Sequence, residues 1–223
     1  MAIIDNSIDH TIYDPVHHWT QFLNVNQSSF RAKESDFPKD IRNKFTHIIL
    51  TGSEASIMDR SPWVLDEIEW VKEAASYQIP LLGSCYGHQM IALALEGPDC
   101  VRRSSSPEIG WIPIKISKKN ELLGKKGCFY SYTIHFDEVI GLGDDYDIFA
   151  STDLCSIHAF QKKNSSVWGI QSHPEITPDE GKILLKNLID QGRGPLDIYK
   201  KALHSKPKDS GIIKNIIDAF IKY

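Results

Sequence analysis

The fold of this chain is decided by the stretch Ile79-Pro80-Leu81-Leu82-Gly83-Ser84-Cys85-Tyr86-Gly87-His88-Gln89-Met90-Ile91-Ala92-Leu93-Ala94-Leu95. Its apolar start has the composition of a buried strand, and the apolar residues after Gly87 recur at helical spacing. The two glycines that flank Cys85 allow the backbone to turn sharply between these elements. The stretch therefore predicts a strand, a tight turn and a helix, with Cys85 at the turn.

Two interpretations of Cys85 follow from this placement. A nucleophile at a strand-to-helix turn stands clear of the sheet, and the free N–H groups of a helix N-terminus favour the thiolate form of cysteine. The pattern G-x-C-x-G is thus a cysteine version of the serine nucleophile elbow. An isolated cysteine in such a unit is more often a buried structural residue, because free cysteine is among the most buried residue types. The second motif described below favours the nucleophile.

Composition limits the classes of protein to consider. The chain has 223 residues, of which 41% are hydrophobic and 24% are charged, which suits one large α/β domain or two small ones. A net charge of −4 gives no reason to expect nucleic acid as a partner. No apolar run approaches the length of a membrane span, and the N-terminus lacks the features of a signal peptide.

The four cysteines carry a separate expectation. They are Cys85, Cys100, Cys128 and Cys155, and no two of them form a C-x-x-C pair. This spacing predicts no zinc site and favours a reducing cytoplasm as the compartment. We expect neither a metal nor a cofactor.

The order of patterns along the chain predicts the architecture. Strand and helix signals alternate in the first half, and short strands cluster in the second half, beginning after a polar connection over Arg102–Pro107. A strand over Thr46–Leu50 leads into Gly52, whose backbone N–H can lie near Cys85, because loops after parallel strands gather at one edge of a sheet. Helices are expected over Leu196–Leu203 and Ile212–Ile221.

The second motif is Ser172-His173-Pro174-Glu175, at the end of a predicted strand. Side chains at positions i and i+2 of a strand point the same way, and proline cannot extend the ladder of hydrogen bonds. Glu175 can accept a hydrogen bond from Nδ1 of His173 and so orient the ring. His173 can then take the proton of Cys85 and later protonate a leaving group.

With both motifs in view, the chain resembles the class I (triad) glutamine amidotransferases. Gly83-Ser84-Cys85-Tyr86-Gly87-His88-Gln89 and Ser172-His173-Pro174-Glu175 carry the resemblance, which extends over roughly Ile3–Gly192. Within the family, the chain looks most similar to stand-alone proteins that resemble the amidotransferase domain of GMP synthetase. The resemblance divides the chain into an amidotransferase domain over 1–192 and a C-terminal helical extension over 193–223, packed on the same domain.

The resemblance also implies a fold and an activity. The fold is a three-layer, flavodoxin-like α/β arrangement, in which a mostly parallel, seven-stranded central sheet is flanked by helices and has a small antiparallel extension. The activity is hydrolysis of glutamine to glutamate and ammonia through a γ-glutamyl thioester on Cys85. His173 would be the acid–base group and Glu175 would orient it.

The resemblance assigns further residues around this triad. The backbone N–H groups of Gly52 and Tyr86 would form the oxyanion hole. Gln89 matches the glutamine of the family's C-x-G-x-Q pattern and would line the substrate pocket. His135, in Thr133-Ile134-His135-Phe136-Asp137, occupies the place of the family's Ser-His-Gly-Asp segment and would also bind substrate.

Several functions stay open at this point. Ammonia could pass to a separate synthetase subunit, or the chain could hydrolyse glutamine or another γ-glutamyl compound alone. The family's usual Gly-Gly-Pro loop is Thr51-Gly52-Ser53 here, so a non-catalytic interaction protein with an amidotransferase scaffold is a further hypothesis. The expected partners are a γ-glutamyl small molecule and a synthetase in trans, with no nucleic acid and no membrane. A homodimer is one further option.

Overall fold

A computed structural model describes residues 1–223 and contains one nine-stranded sheet. The strands are β1 (Ala2–Asp5), β2 (Ser28–Arg31), β3 (Ile48–Leu50), β4 (Leu81–Ser84), β5 (Val101–Ile116), β6 (Gly127–Val139), β7 (Tyr146–Ser151), β8 (Ala159–Lys162) and β9 (Val167–Ile170). The helices are α1 (Pro15–Thr20), α2 (Ile41–Lys44), α3 (Pro62–Ser76), α4 (Tyr86–Glu96), α5 (Pro178–Asp190), α6 (Leu196–His204) and α7 (Ile212–Phe220). Across the sheet, the strand order is β2-β1-β3-β4-β9-β8-β7-β5-β6.

Five adjacent strands, from β2 to β9 in the sheet order, run parallel. Every residue of β1, β3, β4 and β9 is buried, as expected where helices cover both faces of a parallel sheet. Because these strands point the same way, the loops that follow β3, β4 and β9 meet at one edge. That edge receives Gly52, Cys85 and His173 from three separate parts of the chain.

The other half of the sheet is antiparallel and is larger than the sequence suggested. Strands β8, β7, β5 and β6 continue the sheet beyond β9, so the expected count of seven strands is wrong. The polar segment Arg102–Pro107, predicted as a connection, lies within β5. It is an irregular part of the strand, with a register shift between Arg103 and Glu108. Charged residues such as Arg102 and Arg103 can occupy this part of the strand because every residue of Arg102–Pro107 is exposed or half-buried.

Helices cover both faces of the sheet, so the predicted α/β class is confirmed. On one face, α3 and α4 contribute to an apolar cluster with Leu50, Leu81 and Val167. On the other face, Trp19 of α1 packs in a cluster that includes five residues of α7. A third cluster joins α5 and α6 to Trp111 and Tyr132, which lie on the antiparallel hairpin formed by β5 and β6.

The two predicted terminal helices are present as α6 and α7, within one residue of their expected bounds. The buried residues of α7, including Ile216 and Phe220, recur three to four positions apart, which places them on one face of the helix. This face packs in the same cluster as Ile3 and Trp168 of the sheet. None of the helices combines the length and apolar composition that a bilayer span needs.

Candidate active site

Cys85 lies between the end of β4 and the first residue of α4, as the sequence predicted. Its backbone has φ +47° and ψ −104°, a conformation that is unfavourable for a residue with a Cβ. Such strain persists only where the surrounding structure enforces it, and it recurs at functional sites. The turn presents the side chain at the carboxyl edge of the sheet, next to the N-terminus of α4.

The two glycines of the elbow are required by close backbone contacts. A Cβ at Gly83 would lie 2.4 Å from the carbonyl carbon and oxygen of Gly87, and a Cβ at Gly87 would lie 2.3 Å from the carbonyl oxygen of Leu50. Real Cβ atoms do not approach backbone atoms so closely. The amide of Gly87 also donates to the carbonyl of Thr51 at 3.0 Å, which ties the elbow to the loop after β3.

His173 and Glu175 are buried together just beyond the end of β9. Nδ1 of His173 lies 2.8 Å from Oε1 of Glu175, within hydrogen-bond distance. When Nδ1 donates to this carboxylate, Nε2 is the ring nitrogen left for chemistry. The backbone amide of His173 donates to the carbonyl of Tyr132 at 2.8 Å, which anchors the segment to β6.

Tyr13 joins this pair, although nothing in the sequence singled it out. Its hydroxyl donates to Oε1 of Glu175 at 3.2 Å and lies 3.3 Å from Nδ1 of His173. Burial, together with the charges of Glu175 and Cys85, raises the pKa of Tyr13, so the hydroxyl keeps its proton and remains a donor. The segment that precedes α1 therefore supplies a third member of the hydrogen-bonded group.

The charge state of His173 reflects its neighbours. Burial alone lowers the pKa of the ring, but the charges of Cys85 and Glu175 outweigh that effect and raise the pKa to about 10. The site therefore favours the protonated, imidazolium form of His173. In this structure Sγ of Cys85 donates a hydrogen bond to the carbonyl of Ile134 at 3.7 Å.

One cavity of about 410 Å³ connects most of the predicted site residues. Cys85, Tyr86, Gln89, His135 and His173 all line it. Gly52 and Glu175 do not line the cavity. Gly52 lies against the His173 ring, and Glu175 lies within hydrogen-bond distance of Nδ1 of that ring. The sequence prediction that these segments meet at one edge agrees with this arrangement.

The two predicted oxyanion donors have free backbone amides. The Gly52 N–H donates to no other protein group, and Tyr86, as the first residue of α4, has no partner for its N–H within the helix. Gly52 also packs tightly against the ring of His173, since a Cβ at position 52 would be 2.5 Å from Cε1 of that ring. The loop after β3 is held by Asn6, whose side-chain amide donates to the Thr51 carbonyl at 3.1 Å.

Gln89 and His135 have mainly internal hydrogen bonds. The Gln89 amide donates to the carbonyl of Asp137 at 2.7 Å and to Oε1 of Gln171 at 3.2 Å. Nδ1 of His135 lies 3.1 Å from the Asp137 carbonyl, and Nε2 lies 3.0 Å from Oε2 of Glu108. Both residues therefore shape the wall that carries Asp137, and direct contact of either with substrate stays a prediction.

Sequence reasoning missed Glu108 and His158, which accompany His135. Burial raises the pKa of Glu108, but hydrogen bonds from His135 and Thr152 outweigh this and leave it lowered, so the carboxyl is ionised. Burial lowers the pKa of His158 to about 3, so that ring is neutral. The pairing of Glu108 with His135 across β5 and β6 would have identified this cluster. That register follows from the irregularity in β5, which the sequence pattern does not reveal.

Comparison with known proteins gives a consistent result. The family model for class I glutamine amidotransferases matches residues 2–191. The chain is 36% identical over 116 residues to a glutamine-hydrolyzing GMP synthase subunit of Methanococcus maripaludis, and the match covers 51% of this chain and 60% of that protein. It is 33% identical over 144 residues to a glutamine-hydrolyzing GMP synthase of Caldicellulosiruptor saccharolyticus, covering 64% of this chain and 27% of that protein. These matches thus span less than two thirds of each relative.

Solved structures support the fold. A glutamine amidotransferase from Methylobacillus flagellatus superposes with a TM-score of 0.79 at 17% identity, covering 99% of this chain and 93% of the other. A glutamine amidotransferase from Thermotoga maritima gives a TM-score of 0.72 at 16% identity, covering 99% and 96%. At these identities the likeness concerns the three-dimensional arrangement alone.

Proposed function

This chain belongs to the class I glutamine amidotransferase family, and from that premise we propose that it hydrolyses the side-chain amide of glutamine. The observation that supports this most strongly is the position of Cys85 at a strained elbow in the same cavity as His173, whose other ring nitrogen is held by Glu175. This is the arrangement of nucleophile, acid–base group and orienting carboxylate that acyl transfer needs.

The proposed reaction has two stages. The Cys85 thiolate attacks the amide carbon of glutamine while His173 holds the proton. The C–N bond then breaks, and His173 gives its proton to the leaving ammonia. Water next attacks the γ-glutamyl thioester, with His173 taking a proton from it, and glutamate leaves as the thiolate is restored. The free amides of Gly52 and Tyr86 are the proposed donors to the oxyanion of both tetrahedral intermediates.

The acceptor of ammonia is proposed from the relatives. Those named above are a GMP synthase and a GMP synthase subunit, both glutamine-hydrolyzing. From these names we propose that this chain delivers ammonia to a synthetase subunit in trans. We also propose that 1–192 forms the amidotransferase domain and that 193–223 is its C-terminal extension, because the family match ends at residue 191.

A second candidate is hydrolysis of a γ-glutamyl compound larger than glutamine. The cavity of about 410 Å³ lies in the range of about 300–1,000 Å³ that holds drug-sized ligands. Its lining includes Arg193 and Tyr199, which lie beyond the segment matched by the family model. These residues from the C-terminal extension give the site a wall that could contact an additional substituent on the amide nitrogen.

Covalent labelling and kinetics together test the proposal. A glutamine analogue with an electrophilic carbon in place of the amide should add one label per chain, located on Cys85 by peptide mass spectrometry. Cys128→Ala, which removes an exposed thiol, serves as the matched control and should label normally. The intact protein is then assayed with glutamine and with a panel of N-substituted γ-glutamyl amides.

The outcomes separate the candidates. Release of ammonia from glutamine, abolished by Cys85→Ala, supports the amidotransferase function. A higher kcat/KM for a substituted amide favours the second candidate. Absence of both labelling and turnover, also in the presence of a synthetase subunit, would instead leave a non-catalytic interaction protein.

A further inference from the structure

A cluster of two histidines and one carboxylate lies beside the cavity, and of its three members only His135 lines that cavity. Glu108 is on β5, His135 is on β6, and His158 immediately precedes β8. All three side chains are buried. One nitrogen or oxygen atom from each lies within 4.8 Å of the other two, with 3.0 Å between Glu108 and His135 and 3.7 Å between Glu108 and His158.

The hydrogen-bonding needs of His135 require an extra positive charge in this cluster. Its Nδ1 faces the Asp137 carbonyl and its Nε2 faces the Glu108 carboxylate, and both of these groups are acceptors. A neutral imidazole has only one N–H, so it cannot satisfy both contacts. Either one more proton, on His135 or on Glu108, or a cation between Nε2 of His135 and Glu108 is needed.

His158 distinguishes these two options. Its Nε2 is buried and has no hydrogen-bond partner, although it lies 3.7 Å from the carboxylate. A proton on His135 would complete the pair with Glu108 but would leave this nitrogen unpartnered. An unsatisfied buried polar atom costs about 1–3 kcal/mol. A cation placed between the three atoms would use the free lone pair of Nε2 as well.

The surroundings of the cluster match those of a built metal site. The Asp137 carbonyl is positioned to accept the second N–H of His135, and the Thr152 hydroxyl donates to the other oxygen of Glu108 at 2.7 Å. Metal-binding histidines usually donate their second N–H to a carbonyl or carboxylate, and ligating carboxylates are hydrogen-bonded in turn. Tetrahedral zinc with nitrogen and oxygen ligands separates those ligand atoms by about 3.3 Å.

We propose that Glu108, His135 and His158 bind a divalent transition-metal ion, for which Zn²⁺ is the probe. Two imidazoles and one carboxylate form a donor set that suits Zn²⁺. The ion would join β5 and β6 to the segment before β8, next to the cavity that His135 lines. The proposal departs from the sequence prediction of no metal, which did not bring Glu108, His135 and His158 together.

The test measures Zn²⁺ binding to the full chain after treatment with a chelator. Because Cys85 and His173 could themselves bind Zn²⁺, every protein carries Cys85→Ala, and the proposal does not depend on glutamine hydrolysis. Isothermal titration calorimetry should show one Zn²⁺ per chain. Glu108→Gln and His158→Gln should each weaken binding at least 10-fold, whereas His17→Gln, at an exposed histidine, should leave it unchanged.

A second measurement covers the case in which a variant folds poorly. Zn²⁺ should raise the Tm of the Cys85→Ala protein, and the added Glu108→Gln or His158→Gln change should remove most of that shift. Co²⁺ bound in place of Zn²⁺ should show visible d–d bands without thiolate charge transfer. No binding, or binding that His17→Gln removes and His158→Gln retains, would overturn the proposal and leave a proton-linked pair of Glu108 and His135.

Discussion

The molecule contains two buried histidine–carboxylate groups that arise in different ways. His173 and Glu175 are two residues apart on one strand end, beside the strained Cys85 and at the edge where parallel strands terminate. Glu108 and His135 are 27 residues apart and meet only through the register of an antiparallel hairpin. The first group borders on a nucleophile, whereas the second is enclosed between strands. The same chemical pair thus lies beside a proposed nucleophile in one place and between paired strands in another.

The largest expected effect concerns the group beside the nucleophile. His173→Ala removes the proposed acid–base group and should lower kcat/KM for glutamine about 10⁴-fold, equivalent to ~5.4 kcal/mol. Steady-state ammonia release measures this change. His17→Ala, on the exposed face of α1, is the control and should retain normal activity. If His173→Ala has an activity close to that of the unmodified protein, the proposed acid–base role of His173 is contradicted.

The second effect concerns stability and comes from the enclosed group. Glu108→Ala leaves the buried His135 and the Thr152 hydroxyl without their partner, so it should lower the free energy of unfolding by about 3–5 kcal/mol. Urea unfolding in the presence of a chelator measures this change without bound metal. Glu69→Ala breaks an exposed ion pair with Lys72 and should change stability by less than about 1 kcal/mol. Equal effects of the two substitutions would contradict the comparison.

Gly52→Ala tests how closely the first group is packed. The new methyl group would lie 2.5 Å from Cε1 of His173, so the ring or the loop after β3 must move. We expect kcat to fall about 10²–10³-fold, because an oxyanion donor is displaced as well. Gly143→Ala is the control, since a Cβ there meets nothing within 4 Å. A KM change with unaltered kcat would argue against the proposed role of the Gly52 amide.

Glu67 provides an internal contrast, because it is a buried carboxyl without a histidine. Neither of its oxygens has a hydrogen-bond partner of good geometry, and burial outweighs the opposing effect of nearby Asn6 and raises the pKa of Glu67 to about 8. The folded state therefore holds a proton that the unfolded state has lost above pH 4.5. Its contribution to the free energy of unfolding must then fall as pH rises from about 4.5 to 8, by up to about 1.4 kcal/mol per pH unit.

Glu67→Gln should remove that part of the pH dependence. Chemical unfolding between pH 5 and pH 8 measures the slope for both proteins. The variant should show the smaller loss of stability on going to pH 8. Glu69→Gln, at an exposed carboxylate, is the matched control and should keep the slope of the unmodified chain. An unchanged slope in Glu67→Gln would show that Glu67 is ionised throughout this range.

The smallest effect is expected from Tyr13→Phe. This change removes one hydrogen bond to Glu175 and keeps the edge-on ring contact with His173. A hydrogen bond of this kind contributes about 0.5–1.5 kcal/mol, so kcat should fall no more than about 10-fold. Tyr223→Phe, at the exposed C-terminus, should have no effect. A loss as large as that of His173→Ala would mean that Tyr13 takes part in proton transfer.

Much of the fold could be predicted because its signals are local. The run from Ile79 to Leu95 changes from strand composition to helical spacing at Cys85, and the structure places β4, the elbow and α4 there. The terminal helices were found because their apolar residues recur at helical spacing. The length of β5 was missed, since its polar first half has an irregular register and lacks the alternation that identifies a strand.

The site divides in the same way. Glycine requirements, the proline that ends a strand and the i, i+2 spacing of His173 and Glu175 are properties of neighbouring residues, so the sequence by itself determined them. Contacts across the fold were decided only by the tertiary structure: Tyr13 reaches Glu175 over 162 positions, and Glu108 meets His135 through a register shift. Covalent geometry limits the directions in which the side chains of residues adjacent in sequence can point. Strand register, in contrast, depends on the packing of the whole sheet.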